Sequence, residues 1–101
     1  WDLELGWDFG FVQVSTDGGA TYQSLICTDT TSDHDPGAVA AVVEKLPGFT
    51  GVSGGTGAWR PQTCSLAAYA GQSVLLSFRV VNDPAVEGNG ILTPPGMWVD
   101  S

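Results

Sequence analysis

Basic residues are scarce: Lys45, Arg60 and Arg79 stand against eleven acids, for a formal charge of −8. Binding to nucleic acid needs Lys and Arg clustered to neutralise phosphates, so that class is excluded. No apolar run approaches the roughly 20 residues of a membrane-spanning helix, so no membrane span is expected. Cysteine is limited to Cys27 and Cys64. They do not form a Cys-x-x-Cys pair, which argues against a zinc site and dithiol redox chemistry. Long helices are excluded too, because 14 Gly and 6 Pro in 101 residues interrupt them.

What remains is strand material. The apolar residues are rich in Val, Trp, Phe and Tyr, which suit pleated, half-buried surfaces. A chain of this length supports one domain with one core, residues 1–101, and is too short for two. The acidic excess suits hard cations or simple solubility. There is no initiating Met or signal-peptide pattern at Trp1, and the segment Val99-Asp100-Ser101 has strand composition. A processed piece of a larger protein is therefore expected, with terminal segments that pair with other sequence or drive association.

Alternation predicts a strand over 8–15, with Val12 and Val14 on one face and Phe9, Phe11 and Gln13 on the other. The segment Ser15-Thr16-Asp17-Gly18-Gly19-Ala20-Thr21-Tyr22 follows. It is similar to an Asp-box hairpin, in which hydroxyl and carboxylate groups pin the turn and an aromatic tucks beneath it. The return strand is 21–28. After a polar loop, Asp35-Pro36 suggests a helix N-cap followed by Pro at the first helical position, with Ala38, Val39, Val42, Val43 and Leu46 at helical spacing up to Pro47-Gly48. Phe49 and Val52 suit an edge strand, residues 73–82 alternate strongly, and a last strand follows Gly96. The sum is an all-β antiparallel sandwich or jelly roll with one short inserted helix.

Two catalytic or metal patterns fail on their context. Gly51-Val52-Ser53-Gly54-Gly55 has nucleophile-elbow spacing, but the glycines after it cannot open a helix, and the lone base, His34, sits in a polar loop. Asp33, Asp35 and Glu44 have three EF-hand spacings, yet Ala38 stands where the calcium loop needs Gly.

Strand parity makes another set of acids more informative. Asp8 shares the face of Val12 and Val14, Asp100 that of Trp98, Asp83 ends the 73–82 strand, and Glu4 lies just upstream. A carboxylate directed toward a core needs a cation, an Arg or a backbone cap. If these strand ends converge, calcium is the natural partner of Glu4, Asp8, Asp83 and Asp100, with Glu87 and Asn89 as further candidates. Ordinary turn-capping aspartates are the alternative.

Leu3-Glu4, Trp7-Asp8-Phe9-Gly10-Phe11-Val12-Gln13-Val14-Ser15-Thr16-Asp17-Gly18-Gly19, Gly48-Phe49-Thr50-Gly51-Val52-Ser53-Gly54-Gly55, Trp59, Ser65-Leu66-Ala67-Ala68-Tyr69-Ala70-Gly71-Gln72 and Gly96-Met97-Trp98-Val99-Asp100 follow one order. That order resembles the β-sandwich domain, similar to MAM and galactose-binding-like jelly rolls, of secreted bacterial metallopeptidases of the immune inhibitor A type. Residues 28–46 are the weakest part and look like an insertion. The resemblance implies a non-catalytic module with a structural calcium ion near the strand ends. The zinc motif His-Glu-x-x-His of such peptidases is absent, so any protease lies elsewhere in the parent protein. The family's pair of adjacent aspartates in the last strand is matched only by Asp100, because Ser101 takes the second place.

An accessory module of a secreted, peptidase-like protein is thus expected, packed on neighbouring domains of its parent polypeptide. Carbohydrate binding is the alternative, with Trp1, Trp7 and Trp59 as candidate stacking residues. Cys27 and Cys64 admit two readings, reduced buried thiols or a secreted disulfide. In an oxidising compartment, at the ends of two predicted strands, they are expected to be bridged.

Overall fold

A computed structural model describes residues 1–86 and 88–100. Its centre is a three-stranded antiparallel sheet of β1 (Phe9–Ser15), β2 (Gln23–Ser24) and β3 (Leu75–Val81), in the order β2-β1-β3. The chain is thus β-rich, as expected, with one short helix, α1 (Ala40–Val43). β1 pairs with β3 from Phe9 opposite Val81 to Ser15 opposite Leu75. Directly opposed residues share a face, so Phe9, Phe11, Gln13 and Ser15 lie on one side with Val81, Arg79, Ser77 and Leu75. Val12 and Val14 lie on the other with Phe78 and Leu76.

As the central strand, β1 is covered on both faces. Phe9 and Phe11 pack with Val42, Ala38, Val39 and Leu46, so the 28–46 segment roofs one side of the sheet. Val14 packs on the other side with Leu25, Cys27 and Phe49, joined by Trp1, Cys64 and Met97. Gly48 lies beside β1, next to the Gly10–Phe49 bridge and on the Phe11 face. A Cβ there would meet the Phe11 ring at 2.7 Å and the Gly10 carbonyl oxygen at 2.8 Å, so only glycine allows the Gly10–Phe49 bridge to close.

Three expected elements are shorter than the sequence suggests. The return strand keeps only Gln23–Ser24, although the Leu25 amide still bonds to the Val12 carbonyl and Cys27 bridges Cys64. The helix begins at Ala40 with Val39 as N-cap and no side-chain cap. Asp35 instead closes an Asx turn, accepting the Gly37 amide at 2.8 Å. Among the described residues the last strand is reduced to one bridge, from Gly96 to Asp2. Phe49 and Val52 likewise make single bridges, to Gly10 and Asp2.

The hairpin after β1 is tied by side chains. Ser15 Oγ donates to Asp17 Oδ1 at 2.7 Å and accepts the Gly19 amide at 2.9 Å. Asp17 also accepts the Thr21 amide and hydroxyl, at 2.9 and 2.5 Å. The hydroxyls of Thr21 and Ser15 hold the Asp17 carboxyl well below the usual carboxylate range. Cys27 and Cys64 form a disulfide, with Cα atoms 4.1 Å apart. Such a bridge fits an oxidising compartment. No helix among the described residues is long and apolar enough to cross a membrane.

Candidate functional site

Two regions bring chemistry-bearing side chains together. The first lies where β1 begins and β3 ends. Asp8 precedes β1 and is fully buried, as strand parity requires. Its Oδ1 accepts the Asp83 amide at 2.9 Å and its Oδ2 the Gly88 amide at 3.5 Å. Gly88 has φ +73°, and a Cβ there would stand 2.4 Å from Pro95 Cβ, so no other residue fits against Asp8. Asp83 Oδ1 in turn accepts the amides of Ala85 and Val86 at 3.1 and 3.3 Å. Glu4 closes the group: one oxygen from each of Glu4, Asp8 and Asp83 lies within 4.8 Å of the other two.

Asp8 and Asp83 therefore cap backbone, while Glu4 brings charge to the same place. Partial burial, followed by the charges of Asp83 and Asp8, pushes the Glu4 carboxyl above its usual 4.5. The donor set is three hard oxygens that could hold a metal ion. Asp100 does not join them and lines the opposite cavity instead. Of the further candidates, Glu87 lies outside the described residues, as does Ser101, which stands in place of the family's second aspartate. Asn89 spends its amide nitrogen on Asp2 Oδ1 at 3.0 Å and the Leu3 carbonyl at 2.6 Å.

Asp2 is the acid that sequence reasoning missed. It is fully buried. Oδ1 accepts the Asn89 amide at 2.7 Å, and Oδ2 accepts the amides of Ile91 and Leu92, each at 2.9 Å. Burial raises its carboxyl, but the bonds from Leu92, Asn89 and Ile91 outweigh that and hold it below its usual value. Asp2 and Asp8 thus pin the loop after β3 at both ends. The available signal was an acid set between two large apolar residues, Trp1 and Leu3.

The second region is an open cavity of about 640 Å³ on the Val12 face of the sheet. Its floor includes Val12, Leu25 and Phe49, and its walls include Leu76, Phe78, Trp59 and Trp98. The wall residues are strongly exposed: Leu76 52%, Phe78 53%, Trp59 69% and Trp98 45%. Arg60 binds Asp29 through two hydrogen bonds, at 2.8 and 3.1 Å, and Gln62 joins the same carboxylate at 2.6 Å. That exposed network orders the rim and adds little stability.

The three tryptophans singled out as stacking candidates separate. Trp1 packs on Phe49, with ring centroids 4.8 Å apart, and Trp7 sits over Gly37. Of the three only Trp59 is well exposed, and it shares the cavity lining with Trp98, which was not among the stacking candidates. Ser53 is buried with its hydroxyl 2.8 Å from the Ala58 carbonyl, while exposed His34 contacts the Asp35 carbonyl. The two share no hydrogen bond, so the described residues hold no nucleophile–base pair from this elbow-like segment. No family model, curated protein or solved structure matches the chain.

Proposed function

We propose that this chain is a non-catalytic accessory module of a secreted, peptidase-like protein. Its open apolar face packs against a neighbouring domain of the parent polypeptide, which completes a sandwich-like second layer, and Glu4, Asp8 and Asp83 hold a structural calcium ion. One observation carries this reading. The β1–β2 half of the Val12 face is covered by Leu25, Phe49 and Trp1, whereas the β3 half leaves Leu76, Phe78 and Val80 in water beside Trp59 and Trp98. A contiguous apolar patch of this kind on a small domain marks an interaction surface. The disulfide agrees with an extracellular setting.

The docking claim is tested by replacing Leu76 and Phe78 with Asp together and offering the polypeptide encoded beside this domain as a separate chain. Both side chains are half in solvent, so the variant keeps its melting midpoint but loses co-purification. Undiminished binding by a folded variant overturns the claim.

The calcium claim has a separate readout. At free calcium about 100 times Kd, the ion stabilises the fold by about 2.7 kcal/mol, a rise in melting midpoint on the order of 10 °C. Glu4→Gln removes most of that rise, because it takes away one of the three ligand carboxylates without touching a backbone cap among the described residues, while Asp100→Asn leaves it intact. The pH dependence has a definite sign. A raised Glu4 value in the metal-free fold means stability is fully present below the usual 4.5 and is lost as pH rises through the folded value, so the calcium effect grows over that window. A melt indifferent to calcium and chelator at neutral pH shows that Asp8 and Asp83 are caps alone and that Glu4 holds no ion with them.

Carbohydrate binding is the second reading, favoured specifically by Trp59 and Trp98 sharing the cavity. Saturable quenching of tryptophan fluorescence by a soluble glycan, abolished in Trp59→Ala, is its signature.

A further inference from the structure

The backbone of the open face carries more information than its side chains. Along β1, the Gly10 amide and carbonyl bond to Phe49 and the Val12 carbonyl bonds to Leu25, all on the β2 side. Bonding direction alternates along a strand, so Phe9, Phe11, Gln13 and Ser15 direct theirs to β3. Their partners Val81, Arg79, Ser77 and Leu75 answer them. Leu76, Phe78 and Val80 therefore point their amides and carbonyls away from the sheet, and no hydrogen bond among the described residues reaches them. The same three residues present exposed apolar side chains to the cavity face. Arg79 apart, β3 lacks the usual protections of an edge: its sequence Leu75-Leu76-Ser77-Phe78-Arg79-Val80-Val81 has no Pro and no Lys, and its pairing with β1 runs without a bulge.

Charge narrows the occupant. Of three cations in a chain of formal charge −8, Lys45 bonds to the Tyr22 carbonyl and Arg60 pairs with Asp29. Arg79, on the opposite face of β3 from the cavity, is exposed and has no ion-pair partner among the described residues, despite the excess of acids. A second copy of the chain fits this edge poorly. It brings two strongly acidic molecules together, and an antiparallel pairing centred on Phe78 makes the two Arg79 side chains diagonal neighbours.

We propose that the outer edge of β3 is a strand acceptor: it takes one extended segment of a protein partner, antiparallel, as the fourth strand of the sheet. The segment's alternate apolar side chains lie opposite Leu76, Phe78 and Val80 over the cavity, and it carries an Asp or Glu on the other face opposite Arg79. Main-chain bonds supply affinity, and the cavity and Arg79 supply selectivity. This rests on the reading of the open face as a docking surface and adds how the partner engages it.

The test uses the whole chain and a capped nine-residue peptide that alternates Val with Thr and places one Glu among its Thr positions. Amide hydrogen exchange is followed residue by residue. In the free protein the amides of Leu76, Phe78 and Val80 exchange fast; with peptide they slow markedly, while those of Ser77 and Arg79, already bonded to β1, change little. Methylating the backbone nitrogens of the peptide's Val residues abolishes this protection. Arg79→Glu weakens binding of the Glu peptide and favours a peptide with Lys in its place. Three outcomes overturn the proposal: no protection by the peptide, equal binding of the methylated peptide, or protection that grows with protein concentration when no peptide is present. Equal binding of the methylated peptide removes strand addition but leaves the docking face standing. The third outcome makes a second copy the occupant.

Discussion

Asp2→Ala is expected to cost about 2–4 kcal/mol of folding stability, a large share of what a domain this size has to spare. The buried carboxylate accepts from the amides of Asn89, Ile91 and Leu92 and from the Asn89 side chain, through bonds that are themselves part-buried. Removing it leaves these donors unpaired, and each orphaned donor carries a desolvation cost of about 1–3 kcal/mol. Asp2→Asn is milder, since one oxygen still accepts while its amide group faces donors. The pH dependence follows from a lowered carboxyl: the contribution is present above its usual 3.8 and is lost as pH falls through the folded value. Denaturant unfolding of the two variants checks this. An Asp2→Ala protein within about 1 kcal/mol of the parent means that water or backbone shifts satisfy the loop without the carboxylate.

Reduction of the disulfide is the second large effect. The bridge closes 37 residues of sequence, including the whole segment that roofs Phe9 and Phe11. On the chain-entropy model a loop of that length is worth about 4 kcal/mol. The corresponding fall in melting midpoint is roughly 15 °C or more. A thermal melt with and without reductant, with alkylation and intact mass to prove the thiol state, measures it. A midpoint moved by only a degree or two means that the packing of Cys27 beneath Leu25 and Phe49 holds this region without the covalent bond.

The elements legible in the sequence are those set by local pattern. β1 and β3 show alternation, the turn after β1 has Ser15, Asp17 and Thr21 at bonding distance along the chain, and the buried orientation of Asp8 follows from parity with Val12. Tertiary competition hid the rest. Asp35 has the chemistry of a helix cap, but Gly37 lets it close a turn first, and α1 starts three residues after that glycine. Met97 and Gly96 are drawn to the core layer and to Asp2, which leaves Trp98 and Val99 exposed rather than laddered. The convergence of Glu4, Asp8 and Asp83 was legible because two of them end strands that pair in register. The placement of Asp100 was not, since it depended on a last strand of which the described residues keep only the Gly96 bridge.

The central claim is that the β3 side of the Val12 face is a surface made to be covered. Hydroxyl-radical footprinting with residue-level mass spectrometry tests it most directly, in the isolated domain and in the intact parent protein. The account predicts fast labelling of Leu76, Phe78, Trp59 and Trp98 in the isolated domain and strong protection of all four in the parent, with the exposed Leu5 and Ile26 as unchanged internal controls. Labelling of the four at the same rate in both proteins contradicts it.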